Sequence, residues 1–211
     1  MIKRVLWMLL ALSLCMTTFV FAEDSAPKED AGSLVVASNE EEPQVVRQRK
    51  EGTIFLQIGN YAAVTDGKLT WIDLANKNVI PYIKEDRTMV PLRFLTESLG
   101  ATVGYNAETR GITVTLGETV MELTVGERAY LLNGESHEMD CAAEITEDRT
   151  FVPVRFVSEA LGKSVKWLAE ERIVVVTDPA SLWDEAGSVE QAVLAEVRLN
   201  LSPLGRNNIS K

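Results

Sequence analysis

The sequence predicts an α+β protein: a small antiparallel sheet with one short helix per repeat, the unit duplicated, and a C-terminal helix after it. Three observations predict this. A sixteen-residue block, Glu85 to Gly100, returns as Glu147 to Gly162 at a constant offset of 62. Short apolar or alternating runs, such as Val120-Met121-Glu122-Leu123-Thr124-Val125, read as strands, and Asp66-Gly67 and Asn133-Gly134 are two-residue turn signals. In both blocks a Val-Pro pair precedes apolar residues at i, i+3 and i+7, the spacing of one helix face.

The chain begins with Lys3 and Arg4, then a mostly apolar run from Val5 to Val20, and Val20-Phe21-Ala22 before Glu23. This pattern predicts a cleaved signal peptide over 1–22, and hence a secreted or envelope-associated protein with no stable membrane insertion after cleavage. The apolar run is slightly short for a membrane span and is interrupted by Ser13, Thr17 and Thr18. Residues 23–52 alternate acids, Ser, Pro and Lys with little apolar period. They read as an acidic flexible linker, because such a segment buries too little apolar surface to offset its chain entropy.

Repeat 1 is expected over 53–116 and repeat 2 over 117–178. In the first, Ile54 to Ile58 is a strand and Asp66-Gly67 a turn. Glu85-Asp86-Arg87-Thr88 is a polar turn, and Pro91 sits in the first helical turn, where its missing N–H had no partner. Leu92, Leu95 and Leu99 form the helix face, and Gly100 ends the helix in a left-handed conformation. A hairpin turning through 106–111 follows. The second repeat has Val154, Val157, Leu161 and Gly162 in the same roles, and its hairpin turns through 168–172. Upstream, Leu56, Ile58, Gly59, Ala62 and Gly67 match Leu123, Val125, Gly126, Ala129 and Gly134 at offset 67. The first copy therefore carries five extra residues between Gly67 and Glu85, which places a longer loop there. The strand Ile112 to Leu116 runs through Gly117-Glu118-Thr119 into the opening strand of the second copy, so the copies are expected to share a sheet. In 179–211, Asp178-Pro179 breaks the last strand. Ser188-Val189-Glu190-Gln191 resembles a capping box, and Val189, Val193 and Val197 stripe a helix that docks on its own module.

The chain has 21 basic and 31 acidic residues, a net charge of −10. Losing Lys3 and Arg4 with residues 1–22, and no acid, takes this to −12. A duplex-binding protein needs a basic face, so nucleic acid is excluded as a partner, as is docking on an anionic membrane surface. Cleavage also leaves Cys141 as the one cysteine, so no intramolecular disulfide can form, and the residue reads as small and buried.

Nothing in the residue pattern assembles a reaction centre, and no cofactor or metal is implied. The single histidine, His137, lies in a polar segment just after a turn. There is no phosphate-binding glycine loop and no Cys/His cluster with zinc spacing. Glu97 and Glu159 are equivalent, and each follows an arginine, Arg93 or Arg155, by four residues. That spacing makes a helix-face ion pair, and the arginine opposes a general-acid role by holding the carboxyl ionised. Asp86 and Asp148 read as turn residues. Tyr105 and Trp167 are equivalent, and with Trp71 they are the candidates for stacking on a ligand. An aromatic at a repeated strand position also serves a core.

The doubled Val-Pro-[Leu/Val]-Arg-Phe-[Leu/Val]-[Thr/Ser]-Glu-[Ser/Ala]-Leu-Gly motif, followed by Val-x-[Tyr/Trp], resembles the copper amine oxidase N-terminal-like domain, or stalk domain. The resemblance covers roughly 53–178. It implies a small antiparallel sheet wrapped on a helix, used as an accessory module in exported proteins of Gram-positive bacteria. Copper amine oxidase chemistry belongs to a different, larger domain that needs three histidines and a tyrosine in an Asn-Tyr-acid setting. Here one histidine is present, Asn60-Tyr61 is followed by Ala62, and Gln57 stands where that motif has threonine. The expectation is a non-catalytic exported stalk, scaffold or binding module of the cell envelope, with an envelope glycan or protein as its partner. The alternatives are a carbohydrate- or peptide-binding envelope protein, and a small envelope hydrolase using Glu97 and Glu159 or Asp86 and Asp148 as its paired carboxylates.

Overall fold

The structure, a computed structural model, describes residues 42–181 and 183–204. The expected signal peptide, the linker before residue 42 and the last seven residues lie outside the described residues. The unit from Glu41 onward contains every element below.

In chain order the elements are α1 (Gln44–Lys50), β1 (Ile54–Gln57), β2 (Ala62–Thr65), β3 (Lys68–Trp71), β4 (Tyr82–Lys84), β5 (Arg87–Pro91), α2 (Leu92–Ser98), β6 (Thr102–Asn106) and β7 (Gly111–Leu116). Then come β8 (Thr119–Thr124), β9 (Ala129–Leu132), β10 (Glu135–Glu138), β11 (Glu144–Thr146), β12 (Arg149–Pro153), α3 (Val154–Ala160), β13 (Ser164–Leu168), β14 (Ile173–Thr177) and α4 (Ser188–Leu201). The chain is thus α+β, with antiparallel pairing in each ladder.

The strands form three sheets, ordered β13-β14-β1-β2-β3, β10-β9-β8-β7-β6 and β11-β12-β5-β4. Each sheet takes strands from both sides of the expected boundary at 116/117. The direct run from β7 into β8 makes one such junction, as the sequence suggested. The other joins the ends of the chain, where Phe55 of β1 pairs with Val175 of β14. In the third sheet Val90 pairs with Val152. Separating the two segments would break all three sheets.

Hairpin turns fall where the sequence put them. Asp66-Gly67 and Asn133-Gly134 both have positive φ, as do Glu85-Asp86 and Glu147-Asp148. Two consecutive residues at φ > 0 give the turn twist that matches two antiparallel strands. The helices differ slightly from expectation. Pro91 and Pro153 do not lie inside the first turn. They are the last residues of β5 and β12 and flank the helices from outside. Leu92, Leu95, Val154, Val157 and Leu161 are buried as the face predicted.

Two apolar clusters hold the fold. The larger lies between the sheets and under α2 and α3, with Leu56, Met89, Leu95, Met121, Phe151 and Val157 among its members. The smaller lies on the far side of the first sheet. There Phe55, Val64, Ile173 and Val175 meet Val193, Leu194, Val197 and Leu201 of α4, and Trp183 packs edge-on against Phe55 at 5.3 Å between ring centres.

Two end elements correct the sequence reading. Gln44–Lys50, placed in the linker, is a helix. Its Arg49 Nε donates to Glu190 at 2.8 Å, its guanidinium lies 4.9 Å from the Trp183 ring centre, and its Lys50 ammonium bridges Glu42 at 2.6 Å and also Glu196. Burial of Lys50 acts to lower its pKa, and the bonds to Glu196 and Glu42 outweigh that and raise it. A seven-residue polar helix has little stability alone; α4 supplies the acids that hold it. The capping box is also absent. The helix begins one residue earlier than that motif requires: Gly187 is its N-cap and has no side chain to cap with, and Ser188 already lies in the first turn.

Candidate functional site

The three aromatics singled out in the sequence lie on three different edge strands. Trp167 is on β13, half-buried on the core side of the first sheet. It lines a groove of about 570 Å³ with Phe156 and Arg155 of α3, Ile83 and Asp86 of the β4–β5 hairpin, and the Arg87–Asp140 ion pair. Tyr105, on β6, is 48% exposed and borders a hollow of about 590 Å³ over the second sheet. Trp71, on β3 at the opposite edge of the first sheet, stacks on Tyr61 with ring centres 5.3 Å apart and 10° between planes. The Lys77 ammonium lies 5.6 Å from the Trp71 ring centre. Neither hollow gathers two of the three. The Trp167 groove sets an aromatic wall beside Arg155, Asp86 and the Arg87–Asp140 pair, and its size suits a small ligand or a peptide side chain.

The helix-face carboxylates do not line either hollow. Arg93 Nε stands 3.9 Å from Glu97 Oε1, with both side chains more than half exposed. Among the described residues no such pair joins Arg155 to Glu159; Arg155 instead turns along the groove. An exposed i,i+4 pair is worth only a few tenths of a kcal/mol, too little to impose the same geometry at Arg93 and at Arg155. His137 stacks on Tyr130 at 5.3 Å between ring centres. Cys141 is 1% exposed with its Sγ 3.8 Å from Met89 Sδ, and burial pushes its thiol pKa up, away from the reactive thiolate.

The carboxylates held below their usual pKa are other ones, and the sequence reading did not single them out. Arg149 Nε donates to Asp73 Oδ2 at 2.6 Å, while Asp73 Oδ1 accepts from the Ala75 and Asn76 N–H groups, both at 2.9 Å. Burial acts to raise the Asp73 carboxyl, and the Arg149 bond with the two backbone bonds outweighs it and holds the pKa below the usual range. Arg87 pairs with Asp140 in the matching position and lowers that carboxyl too. Between them, Glu144 accepts from Lys84 and Tyr82; these bonds, the lysine's first, lower the glutamate, while burial and then the Glu144 bond raise the tyrosine. Each of these side-chain pairs joins a residue before position 116 to one after it. A signal was available: Asp73 and Asp140 are 67 apart and Arg87 and Arg149 are 62 apart, the two offsets of the repeat.

Among the described residues no group of three or more His, Cys, Asp or Glu is placed to hold a metal ion. No helix among them is long and apolar enough to cross a membrane.

A model of the family described as the copper amine oxidase N-terminal domain matches residues 73–176 in a single stretch, from the loop before β4 to β14. A protein from Brevibacillus choshinensis named "Protease inhibitor" is 31% identical over 98 residues, a stretch that covers 46% of this chain and 30% of that relative.

Proposed function

We propose that this chain is a non-catalytic, exported module of the bacterial cell envelope, built from two copies of one stalk-type repeat, that scaffolds or binds there. One observation carries the reading. Titratable groups moved from their ordinary pKa mark active sites when they converge on a cleft. Here the shifted carboxylates, Asp73, Asp140 and Glu144, are each held by a partner from the other half of the fold. They pin the halves together: Asp73 and Glu144 line neither hollow, and Asp140, the one that lines the Trp167 groove, is engaged there by Arg87.

Duplication is supported by the order strand-strand-strand-strand-strand-helix-strand-strand, which occurs from β1 to β7 and again from β8 to β14. The reciprocal Arg–Asp bridges at the repeat offsets support it further. Export rests on the signal-like pattern of residues 1–22. The test is direct: purified protein incubated with peptidoglycan and with primary amines is expected to release no product above buffer. Turnover at enzymatic rates would sink the reading.

A second reading, an envelope glycan or peptide bound at Trp167, is favoured by the groove that places Arg155 and Phe156 beside that ring. Pull-downs on wall fractions should show retention lost in Trp167→Ala; equal retention of both proteins would dismiss that site. The similarity to a protein named as a protease inhibitor makes peptides the first ligands to screen.

A further inference from the structure

Edge strands β3 and β10 occupy matching positions, 67 residues apart, and are oppositely built. Both are exposed along their length. Strand β10 reads Glu135-Ser136-His137-Glu138 and carries the charges that natural edges use to block pairing. Strand β3 reads Lys68-Leu69-Thr70-Trp71. Leu69 is 43% and Trp71 41% exposed, and both project to the same face of the sheet. Tyr61 stacks on Trp71 and fixes its ring in advance of any partner.

The backbone of β3 is oriented to accept a further strand. The Ile72 N–H donates inward to Tyr61 O at 3.0 Å. Polar groups alternate sides along a strand. Those of Thr70 therefore also face β2, with Thr70 opposite Ala63, and those of Leu69 and Trp71 face outward. Among the described residues no strand lies beyond β3 in its sheet.

We propose that β3 pairs antiparallel with β3 of a second copy of this chain, on a two-fold axis through Thr70. This register is self-complementary. Leu69 of one copy lies opposite Trp71 of the other, twice, giving aliphatic–aromatic cross-strand pairs that each exchange backbone hydrogen bonds. Thr70 faces Thr70 as a non-hydrogen-bonded pair, the closer of the two pair types. Centring on Leu69 would waste Trp71 against Gly67, and centring on Trp71 would set Leu69 against Asp73. The two first sheets would then join into one continuous sheet across the dimer. Because each chain carries −10, or −12 without residues 1–22, repulsion opposes the pairing and salt strengthens it.

Light scattering coupled to size exclusion on the full secreted chain tests this. The expected molar mass is twice that of one chain at high concentration, and it halves in Trp71→Glu and in Leu69→Lys while the circular dichroism spectrum is unchanged. Glu138→Lys, on the matching edge, leaves the dimer intact. In Thr70→Cys, mild oxidation is expected to give a reducible crosslinked dimer, since Cα atoms of such a pair are close enough for a disulfide and Cys141 is buried. A monomeric wild type, a dimer that survives Trp71→Glu, or a Thr70→Cys variant that stays uncrosslinked would each overturn the proposal.

Discussion

The outward faces of the two five-stranded sheets share one backbone plan and meet opposite fates. Across the first sheet runs the row Lys166, Val175, Phe55, Val64, Leu69; across the second, at the repeat offsets, runs Gly104, Thr113, Glu122, Leu131, Ser136. The middle of the first row lies beneath α4 and Trp183. The second row is open and lines the hollow beside Tyr105. Phe55 against Glu122 and Val175 against Thr113 are the substitutions that matter. A face of Phe and Val must be covered, and the chain that continues past β14 supplies the cover. A face of Thr and Glu is solvated as it stands. The bridges repeat the asymmetry, since the Asp73 side chain is 14% exposed and its counterpart Asp140 41%.

The largest way to break this comparison is to exchange the central residues. Phe55→Glu places a carboxylate without a partner in a site that is 0% exposed. The expected loss is about 4 kcal/mol or more, read as a collapse of the urea midpoint. If the variant unfolds within about 1 kcal/mol of wild type, α4 does not seal that face and the comparison fails. Next in size is Leu201→Ala in α4. Leu201 is fully buried, and its carbonyl accepts from Asn60 Nδ2 at 3.0 Å. Truncating it should cost about 2–5 kcal/mol. Leu131→Ala on the open face, where the side chain is 39% exposed, should cost less than about 1 kcal/mol by the same measurement.

How these faces differ was partly legible in the sequence. Met121-Glu122-Leu123 alternates and announces one wet face, while Ile54-Phe55-Leu56 and Val174-Val175-Val176 do not alternate, as strands covered on both sides do not. Turns, short helices and the β7–β8 junction were legible for the same reason, since each is written in neighbouring residues. The pairing of β1 with β14 was not, because nothing local records which distant strand completes a ladder. Helix α1 was hidden too, since its sequence is polar and its stability comes from Glu190 and Glu196. The candidate aromatics were identifiable by type, yet their separation onto three edges depends on the way the sheets exchange strands. The Arg–Asp bridges were hidden because their partners lie far apart in the chain, 76 positions for Asp73 and Arg149 and 53 for Arg87 and Asp140.

The bridges give the next effect in size. Asp73→Asn removes the charge that Arg149 pairs with and should cost about 1–3 kcal/mol. Asp140→Asn, in the more exposed bridge, should cost less than about 1 kcal/mol. Both carboxyls are held below their ordinary value in the folded chain. Their contribution is therefore complete above the unfolded aspartate pKa of about 3.9, and it is lost as pH falls through the depressed folded values. Urea midpoints against pH should drop on the acid side for wild type and drop less steeply for Asp73→Asn. An unchanged acid slope in that variant would show that the buried bridge does not distinguish the halves.

The smallest expected effect is the most discriminating. Glu122→Phe gives the open face the residue found beneath α4, without giving it a helix. Glu122 is exposed and makes no ion pair among the described residues, so the stability change should stay within about 0.5 kcal/mol. What should change is the surface: an added aromatic in the hollow beside Leu131 enlarges an apolar patch, and binding of a hydrophobic dye should rise. A gain of stability well above 1 kcal/mol would mean that the new ring is being buried. The open face would then already have something packed over it, and the two faces would differ in what covers them, not in whether they are covered.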